Sequence, residues 1–362
     1  MEVYLSTSLV ALLLTFLDSK KKLPNGMLWG FVLITFVQAI RYGCGNDYMN
    51  YYRDFELFTH ESLDIIPKAM DYYHIEPGWA LINFLFQPLG GFFSLIAAIS
   101  IIENCIYFHV IKKYVIRPYW SLAFILYAFY TTIGYLINMT MIRQGLVISL
   151  FLLAYPIYKN GRIILSILIT LLLFTIHQSA LVLLPICFLK YLPKNQKLMG
   201  LLFLFAFLVF LVSGILLKEI LTQMFALQAF TRFESYDETG EAGHLGLGLL
   251  LKNTPIIIAL YYLFKNNRFD NDERMLVVTS SIYALILPFS AYIDLAARAG
   301  YYFLGLNVMF YPLILVKMPR FLRSLTVLVL LSLIVFDYLN FFGKDSIYAP
   351  YYNNYTTIIS KF

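Results

Sequence analysis

Apolar runs long enough to cross a lipid bilayer recur from one end of the chain to the other. A transmembrane helix needs roughly 20 predominantly apolar residues, with about 17 as the practical minimum. Hydrophobic residues make up 60% of the 362 and charged residues only 13%, which is far from the balance of a soluble domain. The sequence therefore predicts an all-α, polytopic transmembrane helical bundle that forms a single integral membrane domain over residues 1–362.

The apolar runs predict about 12 spans plus one re-entrant or interfacial segment at 77–90, which is short and broken by Pro88 and Gly90. The run 163–189 has basic flanks at both ends, so it predicts a hairpin of two short helices bent near His177. External loops are expected at about 41–76 and 218–247. The other predicted spans are residues 3–17, 27–40, 92–110, 119–137, 141–158, 198–217, 248–264, 275–291, 297–316 and 321–342.

Basic residues report the orientation of the predicted bundle. Cytoplasmic loops of membrane proteins carry an excess of Lys and Arg, so the clusters Lys20–Lys22 and Lys112–Lys113 are expected on the inner side. This orientation puts the N terminus outside. The net charge of +6 comes from such short clusters and not from one continuous basic patch, so nucleic acid is not an expected partner.

Three arginines lie at the outer edges of predicted spans, where the orientation rule does not explain them. They are Arg41, Arg143 and Arg298, and Gln144 stands beside the second. A guanidinium is a planar fork that holds phosphate oxygens bidentately and stays charged at any working pH. Several such groups converging at one membrane face would bind a phosphate or pyrophosphate. The alternative is that each pairs with a carboxylate nearby in the chain and fixes a loop.

His177, Asp47 and Asp294 are the candidate catalytic residues. An imidazole at the bend of the predicted hairpin could donate to a phosphate oxygen or accept a proton from a hydroxyl, or it could simply cap a bent helix. Asp47 follows Gly43 and Gly45, which allow the backbone to approach a ligand closely, and it is a candidate base or acceptor for a sugar hydroxyl. Asp294 lies one helical turn before Arg298, one of the three arginines at the outer edges of spans.

Three tyrosines close in the chain to the candidate aspartates and arginines could stack on sugar rings. They are Tyr48, Tyr301 and Tyr302. The alternative for any of them is the aromatic belt that anchors membrane proteins at their interfaces. No metal-ligand cluster, glycine-rich phosphate loop or Gly-x-Ser-x-Gly elbow occurs in the sequence. Neither a metal nor a cofactor is expected, and catalysis would have to rely on electrostatics.

Five short motifs occur in order along most of the chain. They are Arg41-Tyr-Gly-x-Gly-x-Asp47-Tyr, Glu76-Pro-Gly-Trp79, Ile142-Arg-Gln144, Phe174-x-x-His177-x-Ser179 and Asp294-x-x-x-Arg298-x-x-Tyr301. This ordered set resembles the EpsG family of Wzy-type bacterial polysaccharide polymerases. The resemblance implies a membrane architecture similar to that of the C-type glycosyltransferases. Cys44 stands between the glycines of the first motif in this chain.

The resemblance also implies a metal-independent glycosyltransferase that joins repeat units of an exopolysaccharide, capsule or O-antigen. Its expected location is the bacterial inner membrane, with the active site facing the periplasm or exterior. The implied partners are a donor and an acceptor glycan carried on undecaprenyl pyrophosphate, the lipid bilayer and a chain-length regulator. An O-antigen ligase shares the donor, and a transporter or flippase of lipid-linked glycans also needs cations in a membrane cavity, so both alternatives stay open.

Overall fold

The computed structural model describes residues 1–59, 64–68, 75–192, 195, 197–198, 200–206, 208, 261, 269–290, 294–344 and 346–361. Over these residues the chain is all-α apart from one pair of short strands, as the sequence predicts. The predicted loop at 218–247 lies outside the described residues, as do most of the predicted spans 198–217 and 248–264.

Fourteen helices can be followed through the described residues. They are α1 (Glu2–Ser19), α2 (Gly26–Ala39), α3 (Tyr48–Glu56), α4 (Pro77–Phe86), α5 (Gly91–Tyr114), α6 (Trp120–Phe129), α7 (Tyr135–Thr140), α8 (Ile142–Lys159), α9 (Ile163–Ile176), α10 (Asn271–Ser290), α11 (Asp294–Gly305), α12 (Asn307–Lys317), α13 (Arg320–Phe341) and α14 (Ala349–Tyr352). Short 3-10 helices are Arg117–Tyr119, Gln178–Leu183, Pro185–Tyr191 and Ile358–Lys361, and the strands are β1 (Arg41–Tyr42) and β2 (Thr356–Thr357).

Three of the described helices, α1, α5 and α13, are long and apolar enough to cross a membrane by themselves. The end of α11 and the whole of α12 make a fourth such span if they are taken as one helix bent by 51°. Shorter apolar helices of 10–17 residues are α2, α4, α9 and the 3-10 helical stretch Gln178–Tyr191. The structure thus supports a helical membrane protein, and the count of about 12 spans stays a prediction.

One end of the bundle, the basic end, collects the lysine-rich loops. Helices α5 and α8 pack side by side in the same direction, so Lys113 near the end of α5 and Lys159 at the end of α8 both lie there. Three salt bridges tie this end together: Arg117–Asp18 at 2.6 Å, Lys159–Asp272 at 2.6 Å and Lys317–Glu273 at 2.9 Å.

The opposite end, the terminal end, brings the two chain termini together. The Met1 ammonium donates to the backbone carbonyls of Tyr352 and Asn353, each at 3.4 Å. Strand β2 near the C terminus pairs antiparallel with β1, with Arg41 opposite Thr357. The C-terminal segment therefore closes over the turn that precedes α3.

The run 163–189 folds as the predicted hairpin. Helix α9 ends at Ile176, His177 takes an extended conformation, and two 3-10 helices carry the chain back. Thr170 Oγ1 on the first arm lies 3.7 Å from Cys187 Sγ on the second. At 1.5 Å per residue, the 14 residues of α9 span about 21 Å, less than the roughly 30 Å hydrocarbon core of a bilayer. This arm of the hairpin is therefore shorter than the hydrocarbon core is thick.

Helix α4 packs its first turn against the tip of this hairpin. A Cβ atom built on Gly78 would lie 2.4 Å from Thr175 Oγ1 and 2.8 Å from the Thr175 carbonyl oxygen, so only glycine permits this approach. The helix has 10 residues, or about 15 Å, which is half of the hydrocarbon core. Glu76, which immediately precedes α4, is thereby carried to the hairpin tip.

Helices α1 and α2 pack through the small residues Gly26 and Gly30, which are four apart. A Cβ atom on Gly26 would lie 2.2 Å from the Leu14 carbonyl oxygen, and one on Gly30 would lie 2.7 Å from that of Ala11. Small residues at this spacing let two helices in a membrane approach until their backbones touch. This contact fixes α2, whose C-terminal end leads directly to Arg41.

We expect Gly30→Leu to destabilise the protein, because the added side chain would meet the α1 backbone. Overpacking of this kind costs about 1–3 kcal/mol. The measurement is thermal unfolding of the purified protein in detergent. The matched control is Trp29→Leu, since Trp29 is 58% exposed on the outside of the bundle. Equal unfolding temperatures for the two variants would contradict the close α1–α2 contact.

Candidate functional site

Arg143, in the first turn of α8, forms an ion pair with Glu76 at the terminal end. Its Nη1 lies 2.5 Å from Glu76 Oε2, and the side chains are 20% and 6% exposed. The guanidinium also lies 5.3 Å from the centre of the Tyr51 ring on α3, a distance at which a cation is attracted to an aromatic face. Glu76 Oε1 accepts the backbone N–H of Gln178 at 3.5 Å. The pair therefore links α3, α4, α8 and the hairpin tip.

Asp47 lies within electrostatic range of both Arg298 and Arg143. Burial raises the pKa of Asp47 above its ordinary value, and the two guanidinium groups lower this pKa only in part. Gln144 Nε2 donates to the Arg298 carbonyl oxygen at 2.5 Å, which fastens α11 to the start of α8. Two of the three arginines singled out in the sequence thus lie on helices that are joined by the Gln144 hydrogen bond, and both act electrostatically on Asp47.

The turn that precedes Asp47 and positions it depends on two glycines. Gly43 and Gly45 have φ angles of +66° and +108°, in the left-handed region that favours glycine. A Cβ atom on Gly45 would also lie 2.5 Å from the Met139 carbonyl oxygen. The next backbone N–H donates to Thr140 Oγ1 at 3.3 Å. The turn is therefore held against α7, so Asp47 occupies a fixed position.

His177 is held at the hairpin bend by Ser179. Its Nδ1 accepts the Ser179 backbone N–H at 3.2 Å and lies 3.0 Å from Ser179 Oγ, which is itself 2.9 Å from the Tyr302 hydroxyl. Because Nδ1 accepts a hydrogen bond, the neutral imidazole carries its proton on Nε2. In this tautomer His177 is a hydrogen-bond donor at Nε2, which suits a phosphate oxygen better than the proton of an attacking hydroxyl.

Arg41 has partners in the interior of the bundle. It is 1% exposed, and its Nη1 donates to the Gln38 carbonyl oxygen and to Ser100 Oγ, the latter at 3.3 Å. Gln38 in turn donates to the buried carboxylate of Glu103 at 2.9 Å. The guanidinium is therefore not presented alongside those of Arg143 and Arg298, and these interior contacts also replace the pairing with Asp47 that was the structural alternative.

The tyrosines expected to contact sugars occupy different positions. Tyr48 and Tyr302 are both fully buried, and their hydroxyls bond to the Arg41 carbonyl oxygen and to Ser179 Oγ. Neither ring has an open face in this structure. Tyr48 instead holds the Arg41 backbone, and Tyr302 holds Ser179, which contacts His177. Tyr301 is half-buried at a cleft on the terminal end. Asp294 is the first residue of α11, and its side chain lies outside the described part of the chain.

Sequence reasoning missed Glu76, Tyr51 and Asp54 as neighbours of Arg143. Burial raises the pKa of Asp54, and Arg143 opposes this effect. The signal that could have identified Glu76 was its position directly before Pro77 and Gly78, where a helix begins. Nothing comparable marks Tyr51, whose contact with Arg143 depends on how α3 folds back over the bundle.

The residues described above are of the types that can bind an anion beside a proton acceptor. The two guanidinium groups and the imidazole N–H can stabilise negative charge, and a carboxylate with a raised pKa can accept a proton. Within the described residues, no group of three or more His, Cys, Asp or Glu side chains is arranged to hold a metal ion. The arrangement suits the transfer of a group that departs from a phosphate or pyrophosphate.

Comparison with known proteins identifies the family of the chain. No curated protein and no solved structure matches the chain. The EpsG family model matches residues 27–357, which include every residue of the site described above. EpsG is a family of Wzy-type polymerases, and membership indicates a membrane-bound polysaccharide polymerase of exopolysaccharide synthesis. The chain belongs to the EpsG family.

Proposed function

We propose that this protein is a membrane glycosyltransferase that polymerises oligosaccharide repeat units linked to undecaprenyl pyrophosphate. The observation that carries the proposal is the contact at the terminal end between the start of α8, which bears Arg143, and α11, which bears Arg298, with Asp47 in the electrostatic range of both. Since lysine-rich loops face the cytoplasm, the terminal end faces the periplasm or exterior of the bacterial inner membrane. The full proposal includes about 12 spans and a fold similar to that of the C-type glycosyltransferases.

In the proposed reaction, a hydroxyl oxygen of the acceptor glycan bonds to the anomeric carbon of the donor. The bond from that carbon to the pyrophosphate oxygen breaks, the lipid pyrophosphate leaves with the electron pair, and the hydroxyl proton passes to a base. Negative charge therefore grows on the pyrophosphate. Fixed donors aimed at such charge in a water-poor site contribute about 3–4 kcal/mol each. Arg143 and Arg298 supply those donors.

Arg143 keeps hydrogen-bonding capacity for a ligand while Glu76 holds it. The ion pair uses Nη1, and among the described residues Nε has no hydrogen-bond partner although it is buried. A guanidinium has five N–H donors in a fixed plane, so one edge can bind a carboxylate while another binds a phosphate. Glu76 thus orients Arg143 without saturating it.

Asp47 is the proposed base, and His177 is the proposed phosphate donor. A raised pKa makes a carboxylate a better proton acceptor. The hydrogen bond from Ser179 to His177 Nδ1 leaves the imidazole proton on Nε2, which suits donation to the leaving group. The reaction so described needs no metal.

Two other functions use similar groups. A transporter of lipid-linked glycans would need cations along a pore at several depths, whereas Arg143 and Arg298 lie around one carboxylate. An O-antigen ligase shares the donor and differs only in the acceptor, so the reaction product separates it from a polymerase.

We expect Arg143→Ala and Arg298→Ala each to slow transfer about 100- to 1,000-fold, because each removes a donor from the developing charge. The assay uses purified protein in lipid nanodiscs with a synthetic lipid-linked repeat unit, and products are resolved on a gel. The matched control is Arg162→Ala, an exposed arginine at the basic end, which should retain wild-type activity.

The products of the wild-type protein distinguish the candidate functions. A ladder identifies a polymerase, a single transfer identifies a ligase, and the absence of covalent product favours transport. If both site variants kept the wild-type yield and chain length, the assignment of the two arginines would be wrong.

The rate of transfer should depend on pH through Asp47. A base acts in its ionised form, so the rate should rise with pH through the pKa of Asp47, which burial raises above the ordinary aspartate value of about 3.9. Initial rates measured over the pH range in which the protein stays folded test this. Asp47→Asn should abolish the rise of the rate with pH on the acidic side. His177→Gln should keep this rise, with lower rates throughout. The reverse result would assign the proton transfer to His177.

A further inference from the structure

A cleft of about 560 Å³ opens at the terminal end, beside the arginine site and distinct from it. Its volume falls within the roughly 300–1,000 Å³ of small-molecule pockets. None of Arg143, Asp47 and His177 lines it. The residues that matter for the argument are Thr131, Tyr301, Asp337, Asn340, Lys344 and Tyr348.

The wall of the cleft is built around the Asp337 carboxylate. Asp337 Oδ2 accepts the Thr131 backbone N–H at 3.0 Å and the Thr131 hydroxyl at 2.5 Å. Thr131 lies in the non-helical connection between α6 and α7, so this contact fixes the end of α13 to the interruption between two helices. On the far wall, the rings of Phe341 and Tyr348 stack at 4.7 Å with an angle of 10° between their planes. The Asp337 carboxylate and the paired rings of Phe341 and Tyr348 are therefore held in place.

Tyr301 connects the cleft to the arginine site. It follows Arg298 by three residues on α11, so the two side chains share one face of the helix and are separated along its axis by about 4.5 Å. Tyr301 is also within electrostatic range of both Arg298 and Asp337. A ligand group in the cleft would therefore lie about one helical turn from a phosphate held by Arg298.

The lining has the chemistry that recognises a sugar. Sugar hydroxyls need acceptors as well as donors, and the cleft offers the Asp337 carboxylate, the Asn340 amide and the Lys344 ammonium. The rings of Tyr301 and Tyr348 offer apolar surface for the C–H faces of a pyranose. The described lining residues include one carboxylate and one ammonium, so their charges cancel. A lining without net charge suits a neutral ligand better than a second pyrophosphate.

We propose that this cleft is a glycan subsite that holds a sugar unit of the repeat next to the pyrophosphate bound by Arg298. The proposal rests on the proposed function, because it assigns the cleft to a substrate of that reaction. The sugar unit belongs either to the acceptor, whose hydroxyl attacks, or to the donor, beyond its reacting residue. The same side chains would recognise both, and kinetics can separate them.

The first test measures glycan binding without the lipid or the pyrophosphate. The probe is an oligosaccharide released from the polysaccharide of cells that express the protein, and its affinity for the full-length protein in nanodiscs is measured by calorimetric titration. Asn340→Ala and Lys344→Ala should each weaken binding about fivefold, the effect of one lost hydrogen bond. The matched control is Asn354→Ala, an exposed asparagine at the same end and outside the cleft, which should bind as wild type.

If the wild-type protein binds no oligosaccharide, or if the two cleft variants bind it with unchanged affinity, the proposal is overturned. Variants are compared only after their thermal unfolding has been shown to match that of the wild type.

The second test measures KM for the donor and for the acceptor in the cleft variants. A raised KM for the acceptor assigns the subsite to the acceptor, and a raised KM for the donor assigns it to the donor. Unchanged values for both would overturn the proposal while leaving the polymerase assignment intact. Binding that depends on the cleft, in a protein that forms no polymer, would instead support a glycan site and refute the polymerase assignment.

Discussion

The ion pair between Arg143 and Glu76 is the interaction on which the geometry of the site depends. It joins the start of α8 to the start of α4, and the second oxygen of Glu76 accepts a backbone N–H at the hairpin tip. Removing one partner from a buried pair leaves the other charge uncompensated, at a cost of about 3–5 kcal/mol. The two side chains therefore stabilise each other's position.

The short hairpin and the folded-back loop give this site its electrostatic character. The hairpin tip donates the Gln178 backbone N–H to Glu76, and Tyr51 on α3 lies against the Arg143 guanidinium. Water is partly excluded from the Arg143–Glu76 pair, whose side chains are 20% and 6% exposed, so electrostatic attraction there is stronger than it would be in bulk water. The same exclusion of water raises the pKa of Asp47. One structural cause thus favours both anion binding and proton acceptance.

Much of the fold could be predicted because its signals are local in the sequence. Apolar length and composition predicted the helical membrane bundle, and basic flanks predicted the hairpin at 163–189. The common location of Arg143 and Arg298 followed from the orientation of their spans. Other features could not be predicted, because they depend on packing between residues far apart in the chain. These features are the partner of Arg143, the burial of Arg41 and the hydrogen bonds of Tyr48 and Tyr302. Neither periodicity nor spacing encodes such contacts.

A double-mutant cycle on Arg143 and Glu76 tests the central claim most directly. The free energies of unfolding of Arg143→Met, Glu76→Gln and the double variant are compared with that of the wild type, by denaturant titration in mixed micelles. Residues in direct contact couple by about 0.5–3 kcal/mol, whereas distant residues are additive within about 0.3–0.5 kcal/mol. We predict that the double variant loses less free energy of unfolding than the two single variants lose together. The difference should exceed about 0.5 kcal/mol, the upper limit for additive residues. Strict additivity would contradict the ion pair and the site assembled around it.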